Sequence, residues 1–145
     1  EAIARLNQAG YHVVVATNQS GLGRGLFDMD TLNGIHEKMH RTVLGVGGRI
    51  DAIFYCPHTV ESDCLCRKPK SGMFERIAKC FNIDLPGTPA VGDSLRDLQA
   101  AAAVGATPLL VLTGKGTQTK DEGGLPEGTL IFPDLAAATD HILSL

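Results

Sequence analysis

Four soft or borderline metal ligands fall within eleven residues of this chain. They are Cys56-Pro-His58 and Cys64-Leu-Cys66, and Arg67 and Lys68 follow directly. Three thiolates and an imidazole suit tetrahedral zinc, and four protein ligands leave no coordination position open for water. The segment therefore describes a structural clamp on a loop. The adjoining Arg-Lys pair would then be held rigidly, ready to meet an anionic group. Two disulfides are the alternative use of the 4 cysteines. Against them, three cysteines are clustered, a histidine stands at ligand spacing, and Cys80 sits alone in a helical pattern. Zinc in a reducing compartment, with Cys80 as a buried thiol in the core, accounts for all of them.

At 145 residues, 43% of them hydrophobic, the chain reads as one globular domain, 1–145, with enough residues to bury a core. A net charge of −3 gives no bulk attraction for nucleic acid or anionic membrane. No stretch approaches the roughly 20 apolar residues needed to cross a bilayer. Helical and extended patterns alternate along the chain. Residues 1–9 read as an amphipathic helix with Ile3 and Leu6 on one face, stopped by Gly10. Tyr11 to Thr17 is an apolar, β-branched run that predicts a parallel strand buried on both faces. A glycine-rich loop, Gly21-Leu-Gly23-Arg-Gly25, precedes a helix over about Asp30 to Gly45, whose inner face is predicted as Leu32, Ile35, Met39 and Val43. Ile50 to Cys56 reads as the next strand. Ser71 is placed as N-cap of a helix to Phe81, with Phe74, Ile77, Ala78 and Phe81 inward. Pro89 to Gly92 and Thr107 to Thr113 read as strands around a helix that ends near Val104 and Gly105. A Gly/Lys/Thr-rich loop, a short strand near Leu130 and a C-terminal helix complete the pattern. Such alternation predicts an α/β fold: a three-layer, Rossmann-like sandwich with a mostly parallel sheet. Ligands are expected beyond the carboxyl ends of its strands.

The polar residues of interest stand at those ends. Thr17-Asn18-Gln19-Ser20 places a hydroxyl and amides where one strand emerges, and Asp93-Ser94 places a carboxylate at the equivalent point of another. Taken with Lys68 they form an anion-plus-metal site. The threonine hydroxyl and lysine ammonium would grip phosphoryl oxygens, and Asp93 would hold Mg²⁺, a hard cation that prefers oxygen ligands. Two other patterns are set aside. His36-Glu37-Lys38-Met39-His40 matches the H-E-x-x-H of metallopeptidases, but nothing supplies the further ligand, so it reads as a solvent-side histidine pair. Gly21-x-Gly23 hints at a dinucleotide loop, but Leu26 stands where the third glycine is needed.

Taken together, these segments resemble the haloacid dehalogenase-like phosphatases, and among them the D-glycero-D-manno-heptose 1,7-bisphosphate 7-phosphatase family. The resemblance covers essentially the whole chain. Residues 17–27 look like the second motif and the loop after it; Cys56–His58, Cys64–Pro69 and Gly92–Asp97 look like the zinc loop, third motif and fourth motif. The resemblance implies a phosphoaspartyl mechanism. A nucleophilic aspartate attacks phosphorus, a second aspartate two residues later serves as general acid and then base, and Mg²⁺ offsets the charge on the phosphoryl oxygens. It further implies that Thr17, Lys68 and Asp93 are catalytic, that Asn18, Gln19, Ser20 and Arg67 line the pocket, and that Asp97 orients the site. Arg67, with its planar fork, suits a second phosphate or a sugar hydroxyl. No insertion is large enough for a cap domain, so the zinc loop would itself form pocket wall. The expected protein is a monomeric, cytoplasmic enzyme acting on a small sugar phosphate in the supply of heptose for bacterial surface polysaccharide.

One departure from the family is plain. Its first motif, Asp-x-Asp-Gly, does not occur before Thr17, and Asp28-Met-Asp30 comes too late in chain order. Glu1 opens within a helical pattern, so an earlier strand bearing that motif is expected to lie ahead of it. The chain as given is then expected to be inactive alone. Histidinol-phosphate phosphatase is the nearest rival activity, although Arg24-Gly25-Leu26-Phe27 favours the heptose branch. A non-catalytic zinc-binding fragment is the rival of another class.

Overall fold

The computed structural model describes residues 1–59 and 61–145, in two compact units, Glu1–Arg67 and Lys68–Leu145. Both are built from parallel strands joined by helices, so the α/β class and the parallel pairing follow the sequence pattern.

In the first unit, helix α1 (Ala2–Gln8) ends before Gly10, whose φ of +92° reverses the chain. Strand β1 (Val14–Asn18), a helical turn α2 (Ser20–Gly23), helix α3 (Met29–Gly45) and strand β2 (Ala52–Cys56) follow. The turn α2 occupies part of the predicted glycine loop. β1 and β2 pair in parallel, with Thr17 opposite Tyr55 and Asn18 opposite Cys56. That register sets the end of β1 level with the first cysteine of the ligand cluster. Gln19 N–H donates to the Cys56 carbonyl at 2.7 Å and carries the pairing one step past the strand.

β1 is shorter than the predicted strand and only half-buried along its length, and Tyr11 lies outside it, exposed. The start is fixed instead by Asp51, whose Oδ2 accepts the Val13 N–H at 2.7 Å while its Oδ1 accepts Arg49 Nε at 2.8 Å. Helix α3 begins at Asp28, whose side chain accepts the Thr31 N–H. Its inner face differs from the predicted one in a single residue. Leu32 is fully buried, but Ile35 is 47% exposed and His36 is turned inward in its place, with Met39 and Val43 half-buried below. Steps of four, three and four from Leu32 give the stripe 32, 36, 39, 43, and a single polar residue on that stripe hides it from hydropathy alone.

The second unit holds α4 (Gly72–Phe81), β3 (Pro89–Gly92), α5 (Leu95–Ala103), β4 (Thr107–Val111), α6 (Gly116–Glu122), β5 (Leu130–Phe132) and α7 (Leu135–Leu143). β4 is central, flanked in parallel by β3 and β5. Being paired on both sides and covered by helices, it is the continuous apolar run, with Leu109, Leu110 and Val111 buried. Helices α5 and α7 pack on this ladder and contribute Leu98, Ala100, Ala101, Ala138 and Ile142 to the core.

Three expectations need correction here. Cys80 is exposed rather than a core thiol. It sits one position from the Phe81 end of α4, off the stripe on which Met73 and Ile77 are buried. Met73 takes the deepest place on that helix, whereas Phe74, Ala78 and Phe81 are half-buried. Ser71 does stand at the N-cap of α4, as expected, although its side chain makes no capping hydrogen bond. Finally, the predicted loop after β4 contains the helix α6.

Thr139 on α7 is completely buried and its hydroxyl has no partner among the described residues. Valine has the same shape and the same β-branch, so Thr139→Val removes only an uncompensated polar group. A gain of about 1 kcal/mol is expected in urea unfolding. An unchanged or lower midpoint would show that the hydroxyl is satisfied in solution.

Candidate active site

The ligand cluster belongs to the loop after β2. Cys56 is fully buried, and its Sγ lies 2.9 Å from Cys66 Sγ, 3.7 Å from Cys64 Sγ and 3.5 Å from His58 Nδ1. His58 Nδ1 is 3.3 Å from Cys66 Sγ, and all four ligand atoms lie within 4.8 Å of one another. A tetrahedral zinc with thiolates at about 2.3 Å separates its ligand atoms by roughly 3.3–3.8 Å. The donor set fits zinc and the four atoms gather around one point, although Cys56 and Cys66 stand closer together than two ligands of a tetrahedral ion would. Burial would raise the Cys64 thiol, but the Arg67 backbone N–H and the Cys56 and Cys66 thiols outweigh it and lower it to about 6. Burial, then the neighbouring Cys56 and Cys64, push Cys66 up to about 12. Without a cation, the crowded thiols work against one another's ionisation. A divalent cation would relieve that conflict.

The turn α2 packs on the start of this loop. A Cβ on Gly23 would lie 2.3 Å from the Pro57 carbonyl oxygen, so only glycine permits the approach. Leu22, Gly23, Pro57, His58, Thr59 and Ser62 line an open cavity of about 440 Å³. Arg67 Nη1 reaches the His58 carbonyl at 3.5 Å. At the end of β1, Gln19 Nε2 donates to Thr17 Oγ1 at 3.2 Å, which ties the amide to the hydroxyl two residues earlier. Thr17, Asn18, Gln19 and Ser20 are all half-buried. Within the first unit, these four residues and the Cys/His loop with Arg67 thus share the carboxyl end of one parallel ladder.

In the second unit, Lys68 Nζ forms an ion pair with Asp97 Oδ1, the two side chains only 11% and 19% exposed. The other Asp97 oxygen accepts the Ser94 hydroxyl at 2.9 Å and the Ser94 N–H at 3.2 Å, in a capping box that starts α5. A Cβ on Gly92 would meet Asp97 Cβ at 2.4 Å, so glycine lets this carboxylate sit against the end of β3. Asp97 accordingly does hold Lys68. Asp93, one residue past β3, is half-buried. Its Oδ2 accepts the Lys115 N–H at 3.0 Å, and its carbonyl accepts the Thr119 hydroxyl at 2.8 Å. Among the described residues its Oδ1 makes no hydrogen bond, which leaves one hard oxygen for a cation.

Sequence reasoning left Gly114, Lys115 and Thr119 unassigned. The available signal was Thr113-Gly-Lys-Gly116 directly after a strand. Among the described residues, the group of three or more potential ligands that converges is the Cys56 cluster, which includes neither His36 nor His40. His36 also departs from the solvent-side reading. Its ring lies 6.0 Å from that of Tyr55, and its Nε2 is buried without a partner among the described residues. Desolvation, then the nearby His40, lower its pKa below the ordinary histidine value. A depressed histidine costs stability in acid: as pH falls through about 6.5, the unfolded chain takes up the proton before the folded one. The urea midpoint is therefore expected to fall between pH 7 and pH 5.5 more steeply in the parent than in His36→Phe. Parallel slopes would contradict this placement of the ring.

Comparison with known proteins finds relatives along nearly the whole chain. The HAD-hydrolase-like family matches residues 65–138, and the Polynucleotide kinase 3 phosphatase family matches residues 1–95. The D-glycero-beta-D-manno-heptose-1,7-bisphosphate 7-phosphatase of Bordetella bronchiseptica is 59% identical over 143 residues, covering 99% of this chain and 80% of its own length. The Pseudomonas aeruginosa protein of the same name is 51% identical with the same coverage. The crystal structure of the B. bronchiseptica D,D-heptose 1,7-bisphosphate phosphatase, complexed with magnesium and phosphate, superposes with a TM-score of 0.96 over 99% of this chain and 80% of that one. The chain belongs to the haloacid dehalogenase-like hydrolases and, within them, to the D-glycero-D-manno-heptose 1,7-bisphosphate 7-phosphatase family. No helix among the described residues is long and apolar enough to cross a membrane.

Proposed function

We propose that this chain supplies most of the active site of a phosphatase that removes the C7 phosphate of D-glycero-β-D-manno-heptose 1,7-bisphosphate. The observation that carries the reading is the pairing of Lys68 with Asp97, beside an Asp93 whose second oxygen remains open to a cation. An ammonium fixed by a neighbouring carboxylate cannot swing away as charge builds on a phosphoryl group, which is the preorganisation that phosphoryl transfer rewards. Thr17 and Lys68 would hold the non-bridging oxygens. Asn18, Gln19 and Ser20 would orient the sugar, and Arg67 would take the distal phosphate with its fork. Mg²⁺, held by Asp93, supplies charge neutralisation at the phosphoryl oxygens when bound. Zinc belongs at Cys56, His58, Cys64 and Cys66 as a structural ion that fixes the loop carrying Arg67. A cytosolic monomer that feeds heptose into bacterial lipopolysaccharide completes the proposal.

The nucleophile is not among these residues, since no Asp-x-Asp precedes Thr17. The test is an assay with and without an added N-terminal strand bearing Asp-x-Asp-Gly. The chain alone is expected to give no turnover. The extended chain is expected to release phosphate from heptose bisphosphate at least tenfold faster, in kcat/KM, than from histidinol phosphate. Turnover by the 145 residues alone would refute the phosphoaspartyl route here, and a preference for histidinol phosphate would move the chain to the rival branch.

A further inference from the structure

From the contacts around Asp93 we infer that Thr119, with Gly114 and Lys115, is the positioning device that aims the Asp93 carboxylate, so that the segment after β4 belongs to the metal site. The inference rests on the assignment of Mg²⁺ to Asp93 proposed above. Two bonds converge on this one residue from that segment: the Lys115 N–H on Oδ2 at 3.0 Å and the Thr119 hydroxyl on the carbonyl at 2.8 Å. The same hydroxyl lies 3.0 Å from the Lys115 carbonyl, so Thr119 ties Asp93 and the donor of the other bond into one closed ring of contacts. Thr119 is 7% exposed and reaches Asp93 from α6, a separate element.

The glycines show that the fit is tight. Gly114 has φ +58°, and a Cβ there would lie 2.3 Å from Asp93 Oδ2. A Cβ on Gly116 would lie 1.8 Å from the Val111 carbonyl oxygen. The chain can therefore turn between β4 and α6 at this distance from the carboxylate only with glycine at both positions. With Oδ2 fixed by an amide and the backbone fixed by a hydroxyl, Oδ1 keeps one direction in the absence of any ion. A metal-binding carboxylate held in advance loses less freedom on binding, and the outer partners of metal ligands typically carry 10–100-fold in affinity.

The test follows the Lys115 amide resonance of the zinc-loaded chain during titration with Mg²⁺ alone. Thr119→Val, which keeps shape and removes the hydroxyl, is expected to weaken the Mg²⁺ midpoint about tenfold. Thr119→Ser, which restores the hydroxyl, is expected to return it to within about twofold of the parent, whereas a purely packing role would leave serine no better than valine. Gly114→Ala gives an independent perturbation, should the valine variant fail to fold, and is expected to weaken Mg²⁺ at least as much. Parent-like midpoints in Thr119→Val or, if that variant does not fold, in Gly114→Ala would overturn the inference while Asp93→Asn still abolished binding. A parent-like midpoint in Asp93→Asn would overturn the Mg²⁺ assignment itself, and the inference with it.

Discussion

Replacing Cys56 with serine is expected to empty the zinc loop and to cost the first unit about 3 kcal/mol or more, because the binding energy of a structural zinc is folding energy. Cys56 is the ligand that matters most for the fold. It is the last residue of β2, is fully buried, and stands opposite Asn18 in the parallel ladder. The other three ligands lie on the loop that leaves the strand, so losing Cys56 detaches that loop from the ladder. Metal analysis is expected to fall from one zinc per chain to none, and urea unfolding to shift to lower concentration. Arg67, which reaches back to the His58 carbonyl, should lose its fixed place at the same time. Retained zinc or an unchanged midpoint would mean that the cluster does not clamp the loop. Cys80→Ser is the natural control: its thiol is exposed, so stability should stay within about 0.5 kcal/mol of the parent.

The second large effect concerns turnover. In the chain extended with the Asp-x-Asp-Gly strand, Lys68→Met, which removes a cation facing the developing oxyanion, and Asp93→Asn, which weakens the hold on Mg²⁺, are each expected to lower turnover at limiting magnesium by about 10²–10³-fold. Asp97→Asn should cost less, about tenfold, since it loosens Lys68 without removing it. The ordering is the informative part. Asp97 touches Lys68 and Ser94, and nothing in its contacts requires it to meet substrate. A loss at Asp97 as large as that at Asp93 would make it a metal ligand in its own right. Steady-state kinetics at limiting and at saturating magnesium separates these cases, because a weakened metal site is rescued by excess metal and a lost phosphate contact is not.

Much of this site could be read from the sequence, for reasons visible in particular residues. The ligand cluster is local, with all four ligands inside one loop, so spacing alone exposed it. Asp93 stands one residue beyond a strand whose ends were also legible, because Pro89 and Gly92 bound it. The parts that escaped depend on contacts between segments distant in sequence. Asp51 fixes the start of β1 from 38 residues away, and Thr119 meets Asp93 across 26. His36 hid the inner stripe of α3 because a half-buried imidazole counts as polar in any hydropathy pattern. Free cysteines usually are buried, which points Cys80 to the core, but its position on α4 lies off the stripe of Met73 and Ile77. Helix α6 is hard to see in the sequence because Gly116-Thr-Gln-Thr119 offers little helix propensity; in the structure the Thr119 hydroxyl bonds the Asp93 carbonyl.

A crystal structure of this chain with Mg²⁺ and inorganic phosphate would be the most direct test of how the phosphate is held. One phosphate is expected within hydrogen-bond distance of both Thr17 Oγ1 and Lys68 Nζ, with the cation on Asp93 Oδ1. A phosphate that engages Lys68 while Thr17 faces away, or a cation that settles anywhere other than Asp93, would contradict it.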